Sequence, residues 1–310
     1  MDGWTLPPEL LGAVATVGGG PARVLEDLTP PWGAATRSVL VTCGSPESKA
    51  VVQWVATAEG GGAASADRAA MRRRLRLGRE LPRRAPRLPL PQVMAGDGAA
   101  RVPFLVTRYV AGSSGREWLG DDARATQLGT AVGRLLREVA RVPAGGLRLS
   151  QTWADRGRLA AAGERWLATS RPELGGAEAA AIRSTIARLP AVFVGTRPVL
   201  AHGDLAPVNV LMRDGQVAAL LDLERTRLAH PLFDAAWWRW ILCYHHPERA
   251  EAAVGSFLAS AGVPGDAVTG AALDALATLQ CLEVLAATPR REAVTRREWA
   301  ARIAAALGSG

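Results

Sequence analysis

Lysine is almost missing from this chain: among the 37 basic residues in 310, Lys49 stands alone and the others are arginines. Any site that needs a lysine therefore has one candidate, and arginine must supply every other fixed positive charge. Cysteine is scarce too. Cys43, Cys243 and Cys281 are odd in number and widely spaced, which excludes a disulfide scaffold and reads as reduced thiols of a cytoplasmic protein. No apolar run approaches the roughly 18 to 20 residues that span a bilayer. The start, MDGWTLPPELLGAVATVGGG, lacks a basic stretch followed by an apolar core, so no signal peptide is expected. Glycine and proline stay below the level of a low-complexity chain. What remains is 48% hydrophobic and 21% charged, enough to bury a sizeable core in two domains or one large one. A net charge of +8 gives an average field that repels polycations and draws in phosphates.

Strand character comes first. WGAATRSVLVTCG and KAVVQWVATA, from Trp32 to about Thr57, are apolar β-branched runs separated by the turn-rich GSPES. A very basic helix is expected over Ser65–Leu81, ended by Pro82, Pro86, Pro89 and Pro91, and then a strand over Val102–Val110. Thr107–Ser114 connects this part to a mostly helical remainder. Apolar residues at 128, 132, 135, 136 and 139 mark an amphipathic helix over Ala125–Val142. Trp153–Ala168 and Glu178–Leu189 look similar, and helices return over Asp234–Leu307. Between them lies one strand-like island, Pro198–Leu223. The expected fold is α+β, with a small β-rich lobe over 1–108, a connector over 109–114 and a larger helical lobe over 115–310.

The island carries the chemistry: VLAHGDLAPVNVLMRDGQVAALLDLE, residues 199–224. Asp214-Gly215 between two apolar runs is a strong two-residue hairpin signal. In that hairpin Arg213 faces Gln216, Val210 faces Ala219 and Asn209 faces Leu220. Strand period two then places Asp222 on the same face as Asn209, next to the loop that holds Asp204. Two oxygen ligands with a carboxylate nearby suit a hard cation such as Mg²⁺, which keeps waters and takes further ligands from phosphates.

His-x-Asp-x4-Asn followed by Asp is the spacing of a phosphoryl-transfer loop. HGDLAPVNVL, LLDLE and HPLFDAAWW together resemble the aminoglycoside phosphotransferase and choline kinase-like family, a branch of the two-lobed protein-kinase-like fold. The resemblance implies Asp204 as catalytic base, Asn209 and Asp222 as Mg²⁺ ligands, and structural roles for His202 and Asp234. It implies transfer of the γ-phosphoryl group of ATP or GTP to a hydroxyl of a small-molecule antibiotic or related natural product. It also places Gly33 at a phosphate-binding turn, and Arg108, Tyr109 and Val110 at the purine. The family sets a lysine on the third strand, paired with a glutamate on the next helix. Here Gln53 takes the lysine's place, Lys49 lies four residues before it on the same face, and the helix offers Arg72–Arg74 where the glutamate belongs. Either Lys49 or an arginine must then supply the charge at the phosphates. Two other readings stay open: a metabolic kinase for choline, a sugar or homoserine, and a nucleotide-binding pseudokinase.

The arginines at 72, 73, 74, 76, 79, 83, 84 and 87 suggest a phosphate-backbone binder. No aromatics interleave with them, so stacking platforms for single strands are missing and no nucleic-acid partner is expected. On the helix after Asp234, Trp237, Trp240 and Tyr244 fall on one face at i, i+3 and i+7, either as core or as an aromatic wall for the acceptor. From Asp234 to Gly310, eight acids meet seven arginines, which tilts the expectation toward an acceptor of low charge.

Overall fold

A computed structural model of the chain describes residues 6–29, 36–56 and 65–308. Two compact units divide it. One comprises Met1–Gly112 with Ala218–Glu224, the other Ser113–Val217 with Arg225–Gly310.

The first unit contains α1 (Pro8–Gly18), β1 (Ala22–Asp27), β2 (Thr36–Cys43), β3 (Ser45–Val55), α2 (Ser65–Arg84), β4 (Val93–Asp97) and β5 (Phe104–Arg108). Its strands form one antiparallel sheet in the order β1-β2-β3-β5-β4. Strand alternation sorts the side chains onto two faces. Val39, Val41, Ala50, Val52, Trp54, Phe104 and Val106 pack with Leu6, Leu10 and Val14 on the α1 side. Val55 and Leu105 pack with Met71 and Leu75 of α2 on the other. The two strands absent from the sequence expectation, β1 and β4, are the sheet's edges. Their residues are mostly half-buried or exposed, so they lack the apolar signal of the central strands. α1 was also missed, although Pro8 opens it and Gly19, at φ 72°, closes it in the left-handed conformation. Pro82, expected to end α2, instead falls within its last turn.

The second unit contains β6 (Ser113–Ser114), α3 (Asp122–Ala140), α4 (Arg156–Ser170), α5 (Gly176–Val192), β7 (Val199–Ala201), β8 (Val210–Arg213), most of the β8–β9 turn, β10 (Arg227–Ala229), α6 (Phe233–His245), α7 (Pro247–Ala261), α8 (Ala267–Ala287) and α9 (Ala293–Gly308). β9 (Gln216–Leu220) leads from it into the Ala218–Glu224 segment. At the β8–β9 turn Asp214 and Gly215 have φ of 51° and 72°, the paired positive values of a type I′ hairpin.

α3 and α7 cross closely because Gly129 and Gly133 offer no side chain there. A Cβ on Gly129 would sit 2.2 Å from the Ala253 carbonyl, and one on Gly133 2.5 Å from that of Phe257. α8 is long and apolar enough to cross a membrane by length and composition, contrary to the expectation that no run comes close, but 61% of its apolar window is buried within the protein. Its two acids are paired, Asp274 with Arg239 and Glu283 with Arg227. These features make it the central helix of a packed unit. Arg296 of α9, only 2% exposed, grips both Glu173 oxygens at 2.6 and 2.8 Å and the carbonyls of Leu285 and Thr288.

Candidate active site

β7 and β10 pair antiparallel, Ala201 opposite Arg227, and the expected catalytic loop leaves β7 at His202. Asp234, at the start of α6 and 2% exposed, pins that departure. Its carboxylate accepts the backbone N–H of His202 at 2.7 Å and of Gly203 at 2.9 Å. Burial pushes the Asp234 carboxyl up from the usual range, while these two N–H groups pull the other way. The His202 ring turns back on its own loop, where Nδ1 accepts the Asp204 N–H at 3.3 Å. Both residues thus hold the loop's shape. Gly203 is required at its apex, with φ at 90° and a would-be Cβ 2.0 Å from the Arg225 carbonyl.

Asp204 is half-buried. The indole N–H of Trp237 donates to its Oδ1 at 2.9 Å. Asn209 Nδ2 donates to the Asp204 main-chain carbonyl at 2.8 Å, which fixes the amide against the backbone of the loop that carries the carboxylate. Asn209 closes a 3-10 turn over Pro207–Asn209 and precedes β8.

Asp222 is set differently from the sequence expectation. β9 ends at Leu220, and Asp222 has φ of 60°, a left-handed conformation that aspartate tolerates better than most residues. Because neither Asn209 nor Asp222 lies within its strand, strand periodicity does not relate the two. The Ala218–Glu224 segment is instead stitched into the first unit. Leu220 N–H donates to the Pro89 carbonyl at 2.7 Å, and Arg73 Nη1 to the Glu224 carbonyl at 3.2 Å. Arg74 Nη2 bridges Asp222 Oδ1 at 3.0 Å and Glu224 Oε2 at 2.8 Å. Arg74 and Glu224 were not singled out in the sequence as a pair. The available signal was the one acid two residues past Asp222, in a chain whose preceding helix is rich in arginine.

The other residues expected at the nucleotide are less uniform. Gln53 lies on the α2 side of β3 and donates through Nε2 to Ser38 Oγ at 3.1 Å. Lys49 is exposed, with Nζ 5.7 Å from the Tyr109 ring centre. Tyr109 N–H donates to the Lys49 carbonyl and Arg108 N–H to that of Gln92, so both donors are engaged within the sheet. Gly33 falls outside the described residues.

On α6, Trp237, Trp240 and Tyr244 do share one face. Trp237 stacks on Trp240 at 5.0 Å and Trp240 on Tyr244 at 5.2 Å. Trp299 of α9 lies against both tryptophans, at 6.3 and 6.0 Å, a participant that no local spacing reveals. Trp237 and Trp240 are 7% and 8% exposed, and Tyr244 is 40% exposed. The ladder is therefore core at one end and surface at the other.

Each of the two expected metal ligands keeps an oxygen atom to offer within its own unit. Among the described residues no three His, Cys, Asp or Glu side chains cluster as metal ligands. With its Nδ2 engaged, Asn209 keeps Oδ1 as an acceptor. Asp222, its side chain 33% exposed, has one oxygen on Arg74 and a second to offer.

Among solved structures, the chain is similar to a thermostable mutant of the aminoglycoside phosphotransferase APH(4)-Ia in ternary complex with ADP and hygromycin B. That likeness has a TM-score of 0.68 at 14% identity and covers 97% of this chain and 99% of the other. It is similar to the macrolide 2′-phosphotransferase MphH from Brachybacterium faecium, with a TM-score of 0.63 at 20% identity over 96% and 98%. It is also similar to APH(2″)-IIa in its gentamicin complex, with a TM-score of 0.65 at 14% identity over 99% and 97%. At such identities these likenesses establish the fold. No curated protein sequence matches the chain. The family model described as the phosphotransferase enzyme family matches residues 30–264, well over half of the length and every residue of the loop, the acid segment and the α6 aromatic face, and the chain belongs to that family.

Proposed function

We propose that this phosphotransferase moves the γ-phosphoryl group of ATP or GTP onto a hydroxyl of a small-molecule antibiotic or a related natural product. The observation that carries this reading is the Asp204 carboxylate. A loop pinned by Asp234 presents it, with Oδ1 oriented by Trp237 and Oδ2 left for an incoming hydroxyl. Asp204 accepts the acceptor's O–H proton as that oxygen bonds to the γ-phosphorus. The bond from the γ-phosphorus to the β–γ bridging oxygen breaks, and the nucleoside diphosphate leaves with the electron pair. Asn209 and Asp222 would hold Mg²⁺, whose charge offsets that developing on the phosphoryl oxygens. His202 and Asp234 keep the loop in register. The connector's backbone around Val110 meets the purine, and the exposed Tyr244 end of the aromatic ladder meets the acceptor. The aminoglycosides and macrolide in the names of similar structures support the acceptor class. The near-neutral charge of the last helices favours the less cationic members. Free thiols at Cys43, Cys243 and Cys281 support a reducing, cytoplasmic setting.

The test is nucleoside diphosphate release with Mg·ATP and Mg·GTP against hydroxylated antibiotics, choline, sugars and homoserine, with Asp204→Ala alongside. Acceptor-dependent release that drops by about a thousandfold or more in the variant is expected, since general-base and positioning contributions combine. Release that survives the substitution would mean that another group takes the proton. Turnover with choline, sugar or homoserine alone would move the enzyme to metabolic chemistry. Nucleotide binding with no turnover on any acceptor would make it a binding protein.

A further inference from the structure

We infer that Arg74 is the cation that receives the nucleotide's phosphates, an inference that rests on the proposed phosphoryl transfer. Arg74 sits in the middle of α2 and is 9% exposed. A guanidinium so buried is costly unless its donors are matched. They are matched only in part. Nη2 is held between the Asp222 and Glu224 carboxylates, whereas Nε is buried and has no partner among the described residues. A buried orphan donor on a charged group is destabilising, and an anionic oxygen is the ligand that would satisfy it.

Orientation points the same way. Two carboxylates hold the guanidinium in place before any ligand arrives. If Asp222 turns its charge to a metal, Glu224 still holds Arg74 by itself. Arg74 then carries a fixed orientation and a full charge into the phosphate-binding state. The other candidates are poorly placed. Gln53 is neutral and engaged with Ser38. Lys49 is exposed beside Tyr109, four residues and roughly 13 Å further along the strand at 3.3 Å per residue. The positive charge has thus moved from the sheet to the helix, and its carboxylate partner from the helix to the segment after β9. Guanidinium suits that position because its planar fork can hold two carboxylates and still present an N–H to phosphate.

Binding of ATP, ADP, GTP, GDP, adenosine and guanosine to the full chain, measured by calorimetry in EDTA and in Mg²⁺, tests the inference. Arg74→Gln is expected to weaken the phosphorylated ligands at least tenfold in both media and to leave the nucleosides within twofold. Arg74→Lys should recover part of the loss, and Glu224→Gln should weaken the phosphorylated ligands by a smaller factor. Arg79→Gln, which removes an exposed charge from the same helix, should change nothing. If Arg74→Gln does not fold, as a thermal melt would report, the Arg74→Lys and Glu224→Gln pair carries the test. ATP held as tightly by Arg74→Gln as by the wild type, or by both fallback variants, overturns the inference alone. Wild-type protein with no affinity beyond that for the nucleoside overturns the proposed function with it.

Discussion

At Asp204 the useful contact is the one from Trp237. A carboxylate with two equivalent oxygens can rotate, and an indole N–H fixed in a stacked ladder removes that freedom. Trp237→Phe keeps the ring packing and deletes one hydrogen bond to a charged group, worth about 1.5–3 kcal/mol. We expect kcat to fall at least about tenfold with KM for nucleotide unchanged. An equal loss in nucleotide affinity would mean that the indole only supports the fold. His230 makes a different prediction. It is 2% exposed, with Nδ1 accepting the Leu232 N–H and Nε2 facing the Val192 carbonyl. The ring is therefore held neutral, and burial lowers its affinity for a proton. Below the ordinary value of 6.5 the unfolded chain takes up a proton that the native ring resists, so stability falls as the pH drops. Melting temperatures from about pH 8 to about pH 5.5 should decline, and His230→Asn should flatten the slope. The polar pattern from His202 to Asp222 was legible because each residue type is dictated by its chemistry. The Arg74 bridge was not, because an ion pair 148 residues apart in the chain leaves no local mark.

For the elements, the decisive positions are those where a side chain has no room. Gly203→Ala would combine a left-handed backbone with an overlap against the Arg225 carbonyl, and about 2 kcal/mol or more of destabilisation is expected. Because the distorted loop carries Asp204, activity should vanish before the fold does. A melt alongside an activity assay separates the two. Gly129→Ala and Gly133→Ala press a methyl into the α7 backbone, for about 1–3 kcal/mol each, and should lower the melting temperature without changing KM. The pair is spaced i, i+4, one stripe of a helix. That spacing is visible in the sequence, but apolar periodicity alone draws attention to Leu128 and Val132 instead. The central strands and long helices were equally visible, since burial on one face writes a period into the chain. The edge strands β1 and β4 were not, because water takes the place of half that pattern. The Asp214-Gly215 turn was readable from two letters, as few other pairs accept φ above zero twice in succession.

Across the whole molecule, the tie between α9 and the Arg171–Glu173 turn is sensitive to acid. The side-chain hydrogen bond and charge of Arg296 hold the Glu173 carboxyl below its ordinary value of 4.5. That contribution is complete above 4.5 and is lost as the pH falls through the lowered native value. Glu173→Gln should therefore lower stability at neutral pH and reduce the difference between neutral and acidic melts. The family was open to inspection of the sequence because one short polar motif stands out in a strand-like island between helical stretches, whereas the grouping of Ala218–Glu224 with the first unit left no such mark. The single side-chain amine has a practical corollary. Lys49 stands exposed beside Tyr109 at the start of the connector, so an acylating reagent has one side chain to modify. A fluorophore or crosslinker coupled there would be the single side-chain amine label, and its quenching would report on what enters beside the connector.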